Sequence, residues 1–149
     1  NALDALGEYV MIDGKRAFDG LGLLPTHAEY HMMKRHNSFL LGSFQDMEIV
    51  GFKSLFGHTY PDEELTDALF RVERGVGRHP GTYAEGFRRG GLMATYLIGP
   101  LLPLNPPFTR YLLEQMGARD VHLAFEDTAM KAYRARVEEF RDEKRGYQY

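Results

Sequence analysis

The chain has 149 residues, enough for one domain with a single modest core. Hydrophobic residues make up 44% and charged residues 26%, which argues against global disorder, and 18 basic against 21 acidic residues give −3, leaving no field for nucleic acid. Cysteine is absent, which excludes disulfides, thiolate metal sites and a cysteine nucleophile within these residues. Nine Tyr and ten Phe, with no Trp, supply large contact side chains suited to a core or to partners.

No secretory signal pattern is visible from Asn1 onward. Residues 2–11 form a short, weakly amphipathic stretch, and the glycine-rich "DGKRAFDGLGLLP" reads as a connector. Thr26 precedes Glu29 by three, a capping-box spacing that predicts a helix carrying Tyr30, Met32 and Met33 and fading near Asn37. "SFLLGSFQDMEIVGFKSLFG" is apolar but broken by Gly42, Gly51 and Gly57, and fits helix or loop.

"PDEELTDALFRVERG" places acids early and Arg71 and Arg74 late, matching a helix dipole, with Leu65, Leu69 and Val72 as an apolar stripe and Gly75 as a stop. Thr82 and Glu85 repeat the capping-box spacing and open a helix that runs to Gly99-Pro100. Within it Gly90 and Gly91 each cost about 1 kcal/mol relative to alanine, which suits a kink or a closely approaching backbone. Asn105-Pro106 starts another helix, with Phe108, Leu112 and Met116 on one face and Gly117 at its end. A last helix from about Asp120 spaces Val121, Phe125, Ala129, Ala132 and Phe140 on one face, opposite a densely charged one. The expectation is an all-α chain of about five helices: an amino-terminal arm over 1–50 and a helical domain over 51–149, ending in a charged helix. The longest apolar run, Leu92 to Leu104, is broken by Gly99, Pro100 and Pro103. It falls short of the roughly 20 residues that a membrane-spanning helix needs.

His27 and His31 are four apart and share a helical face, a spacing that can hold zinc or iron; solvated or packing histidines are the competing reading. His36, His58, His79 and His122 add no ligand at a legible spacing. "GVGRHPG" lacks the spacing and the preceding strand of a dinucleotide loop and reads as a connector. The helix start at Thr82, with Arg78 and His79 nearby, can attract an anion such as a lipid phosphate. Of the serines, Ser38, Ser43 and Ser54, none sits in a G-x-S-x-G elbow.

The order of these features resembles subunit 7 of mitochondrial ubiquinol–cytochrome c reductase, respiratory complex III, over Gly51 to Met116. The segments that carry the resemblance are "GFKSLFG", "YPDEELTDALFRV", "TYAEGFRRGGLMATYLIGPLLP" and "PPFTRYLLEQM". The chain departs from that family in the longer, glycine-rich "FRVERGVGRHPG" and the greasier "GGLMATYLIG". The resemblance implies a cofactor-free, non-catalytic accessory subunit of the electron-transport chain. It would lie peripherally on the matrix side of the mitochondrial inner membrane, docked on cytochrome b, with possible phospholipid contact. Its implied interface is Tyr83, Phe87, Arg88, Tyr96, Leu97, Leu101, Leu102, Phe108 and Tyr111. The competing expectations are an accessory subunit of complex I, complex IV or the ATP synthase, a small helical non-haem metal enzyme using His27 and His31, and a free-standing helical binding protein.

Overall fold

A computed structural model describes residues 2–61 and 67–146. It overturns the all-α expectation, because among these residues the chain is mainly strand. The order is α1 (Ala2–Ala5), β1 (Tyr9–Ile12), β2 (Lys15–Asp19), β3 (Thr26–Tyr30), β4 (His36–Phe44), β5 (Met47–Leu55), β6 (Gly57–Pro61) and β7 (Phe70–Arg74). It continues with β8 (Ala84–Glu85), β9 (Phe87–Arg89), β10 (Leu92–Ala94), α2 (Leu101–Leu104), α3 (Pro106–Gln115) and α4 (Glu126–Arg141).

The strands form a sheet in the order β2-β1-β3-β6, a second in the order β5-β4-β7-β8, and the ribbon β9-β10. β1 runs antiparallel to β2 and parallel to β3, and every pairing in the second sheet is antiparallel. Two of the tight turns that reverse the chain contain glycine. Asp13 and Gly14 both take positive φ, 48° and 79°, between Ile12 and Lys15, the geometry that makes Asp-Gly a hairpin turn. Gly90, at φ 58°, and Gly91 turn the β9–β10 ribbon, with Arg89 opposite Leu92. The paired glycines therefore close a hairpin and do not kink a helix.

The β4–β5 hairpin pairs continuously from His36 opposite Leu55 to Phe44 opposite Met47, so the expected division after residue 50 falls inside β5. Both of its faces are covered. Leu40, Phe44 and Ile49 pack with Phe70, Leu97 and Phe108 on one side, and Leu41 and Val50 pack against Tyr133 and Val137 of α4 on the other. A strand buried on both faces shows a continuous apolar run without alternation, which explains why "SFLLG" carried no clear period. In β7, Phe70 and Val72 are buried between exposed Arg71 and Glu73, a period of two. The expected helix there is absent over Phe70–Arg74; Leu65, part of its stripe, lies outside the described residues.

Two helical segments read from the sequence are present. Asn105-Pro106 opens α3, and Gly117, at φ 91°, follows its end. There the Ala118 N–H reaches the Leu113 carbonyl and the Gly117 N–H reaches the Glu114 carbonyl, a Schellman closure. The charged terminal helix starts at Glu126, later than expected, with Phe125 left-handed and exposed. Its seam is Met130, Tyr133, Val137 and Phe140.

Asn105 does not cap α3 with its side chain. Its Oδ1 accepts the Val50 N–H at 2.8 Å, while its Nδ2 donates to the carbonyls of Val50 and Leu101, both at 2.7 Å. This fully buried amide thus fastens α2 and α3 to the edge of β5. Asn105→Ala leaves those backbone groups unpaired, and we expect it to cost about 2–4 kcal/mol of stability in urea unfolding.

Candidate functional site

β4 and β5 set Ser38 opposite Lys53 and aim Lys53 into the interior, where it is only 2% exposed. Its Nζ donates to Glu85 Oε2 at 2.7 Å and to the Gly77 carbonyl. The other oxygen of Glu85 accepts the Thr95 hydroxyl at 2.8 Å and the Tyr96 N–H at 2.9 Å. Charges this deeply buried hold their place only when paired and hydrogen-bonded, and both conditions are met here.

Two further buried polar groups flank the pair. Arg78 donates from Nε to the Gly86 carbonyl at 2.8 Å, and its guanidinium lies 3.8 Å from the centroid of the Phe87 ring. Burial pulls its pKa down to about 10 against the opposing pull of Glu85 and Asp67, so it remains a cation at neutral pH. The second, Asp4, accepts hydrogen bonds from the hydroxyls of Tyr30 and Tyr96, and the Thr59 hydroxyl lies within hydrogen-bond distance of both Asp4 and Tyr96. Burial and the Asp4 carboxylate push both tyrosines well above the ordinary phenol range, so they act as donors.

A cavity of about 320 Å³ opens beside Lys53, where the start of β4 meets β6. Arg35, His36, Lys53 and His58 supply its polar wall, and Leu55, Val76 and Pro80 its apolar one. His58 is 6% exposed, and neither ring nitrogen has a hydrogen-bond partner. The His36 ring lies over it, with centroids 4.5 Å apart. Burial, followed by the positive fields of His36, Lys53 and His79, lowers the His58 pKa to about 4, while the Arg78 backbone acts weakly the other way. The ring is therefore neutral at physiological pH.

The residues singled out from sequence are scattered through this structure. His27 lies on β3, stacked between Tyr9 at 5.0 Å and Tyr60 at 5.8 Å, with Glu29 3.4 Å from its Nε2. His31 follows that strand, and its N–H bonds the Phe56 carbonyl. The shared helical face is gone: four residues of extended chain span about 13 Å, too far for one metal ion. Among the described residues no group of three or more His, Asp or Glu side chains is placed to hold a metal.

Of the expected interface residues, Phe87, Tyr96, Leu97 and Phe108 lie in the chain's own core. Arg88 donates to the Tyr111 hydroxyl at 3.0 Å, and Leu101 and Tyr111 pack against the Phe108 cluster. Tyr83 and Leu102 remain exposed. Ser38 donates to the Phe39 carbonyl at 2.7 Å, and Ser54 accepts from Arg35 Nε at 2.9 Å. Sequence reading did not single out Lys53, and it took Glu85 for a capping residue. No local signal marks either one as half of a pair separated by 32 positions.

No family model matches the chain. Over 112 residues it is 34% identical to "Lipid II isoglutaminyl synthase (glutamine-hydrolyzing) subunit GatD" of Staphylococcus aureus (strain N315). The match covers 75% of this chain and 44% of that protein, so the chain spans less than half the length of this curated relative. The finding corrects the resemblance to subunit 7 of respiratory complex III, and with it the expected role in electron transport. The expected docking on cytochrome b is corrected too, since the relative is a subunit of a different kind of assembly. The expectation of a non-catalytic subunit gives way because the relative belongs to a glutamine-hydrolysing synthase. Placement at the mitochondrial inner membrane is corrected as well. The relative is bacterial. Among the described residues no helix is long and apolar enough to cross a membrane.

His58 gives the stability of this region a pH dependence. Its folded pKa, about 4, lies below the ordinary 6.5, so between these values the unfolded chain binds more protons. Stability therefore falls as the pH drops from 6.5 toward 4. We expect His58→Phe to flatten this part of the curve in urea unfolding measured across the same range.

Proposed function

We propose that the chain is part of a glutamine-hydrolysing subunit that supplies amide nitrogen to a partner synthase subunit. The observation that carries this reading is the 34% identity over 112 residues to the staphylococcal subunit. In such a reaction a nucleophile attacks the side-chain amide carbonyl of glutamine and ammonia leaves. Water then releases glutamate, and the ammonia passes to a carboxylate acceptor activated on the partner.

These residues bear on the chemistry through what they hold. With no cysteine among the 149, a thiol nucleophile for the first step is not in this segment. Ser38 and Ser54 are each engaged in a hydrogen bond, and neither is paired with a histidine base. In this reading the segment supplies the β-rich framework around Lys53 and Glu85.

The test is release of ammonia and glutamate from glutamine by the complete protein, alone and together with its synthase partner. The reading predicts glutamine-dependent ammonia release that the partner and its acceptor substrate stimulate. A folded complete protein that releases no ammonia from glutamine, with or without the partner, contradicts it.

A further inference from the structure

We propose that the cavity between the start of β4 and β6 binds a small metabolite bearing an oxyanion, a carboxylate or a phosphate, on a short carbon body. The proposal rests on the geometry of the cavity and stands independently of the amidation reading. Among the described residues no carboxylate side chain lines the cavity; its polar wall is made of cationic and neutral hydrogen-bonding groups. The Lys53 charge is matched by Glu85 at 2.7 Å. Arg35 makes no ion pair among the described residues, its hydrogen bond going to the neutral Ser54 hydroxyl at 2.9 Å, so a full positive charge stands at the cavity rim.

The floor of the cavity points the same way. His58 is more than nine-tenths buried and has two ring nitrogens without partners, a costly arrangement for a polar group shielded from water. A ligand oxygen supplies the missing partner. His36, which covers His58, is the side chain that turns to admit it, and His36 together with Arg35 then brackets the anion. The apolar wall of Leu55, Val76 and Pro80 suits a short carbon body, and 320 Å³ is near the lower limit, about 300 Å³, for small-molecule sites.

The experiment is a titration of the complete protein with sodium phosphate and, separately, sodium succinate, with sodium chloride at matched ionic strength as reference. Binding is read by calorimetry and by the imidazole NMR signals of His36 and His58. The proposal predicts saturable binding of at least one oxyanion that moves both histidine signals. Arg35→Ala and His36→Ala should each weaken it by about tenfold without lowering the melting temperature, the loss of one charge-assisted contact. A response to phosphate alone identifies a phosphate head, a response to succinate alone a carboxylate, and either supports the site. Shifts that chloride reproduces, no saturable binding of either anion, or binding that both variants leave intact overturn the proposal.

Discussion

The buried pair of Lys53 and Glu85 is the interaction on which the rest of the structure depends. Two opposite charges with exposures of 2% and 0% carry a desolvation cost of several kcal/mol per ion, and only close pairing with further hydrogen bonds offsets it. The pair meets that demand by recruiting two backbone groups and one hydroxyl. Lys53 holds the Gly77 carbonyl, while Glu85 holds the Thr95 hydroxyl and the Tyr96 N–H. A strand, a connecting loop, the short β8 and the segment after β10 thus meet at one point. Tyr96 continues the network through its hydroxyl to Asp4 and Thr59, which ties the first helix to β6. Lys53 also lines the His58 cavity, so the same pair positions part of its wall.

The legible parts of the sequence were those governed by local chemistry. Proline after Asn105 and glycine after Met116 mark the ends of α3 because a missing N–H and a left-handed residue are tolerated there whatever the surroundings. The charged face of "RARVEEFRDEKR" likewise belongs to a helix that presents one side to solvent. The strands were hidden by competing local signals. Thr26 with Glu29 and Thr82 with Glu85 have capping-box spacing, yet the first pair lies in β3, and Glu85 lies in β8 as a buried ion-pair partner. Leu69 and Val72 suited a helical stripe, whereas Phe70 and Val72 fit a strand equally well, and packing of Phe70 against Phe108 decided between them. Asp13-Gly14 and Gly90-Gly91 were the hairpin signals available, and each was read as a connector or a kink.

The candidate site was almost illegible for a related reason. A buried lysine looks like any surface lysine until a carboxylate 32 positions away is brought to 2.7 Å. His58 looked no different from five other histidines until the fold buried its ring without partners. The mistaken kinship with a respiratory subunit arose from short motifs in a plausible order, each built of residues common in helix ends and turns. A match of 34% over 112 residues rests on many positions at once. Helix spacing made His27 and His31 a pair, and the strand geometry of β3 separates them.

The most direct test of the central role of the pair is a double-mutant cycle on Lys53 and Glu85, read as the free energy of unfolding in urea. If the pair organises the fold, Lys53→Met and Glu85→Leu each leave an unpaired buried charge and lose about 3–5 kcal/mol. The double variant then loses no more than either single one, because neither charge is left alone. Single variants as stable as the parent chain, or losses that simply add in the double variant, would contradict this account.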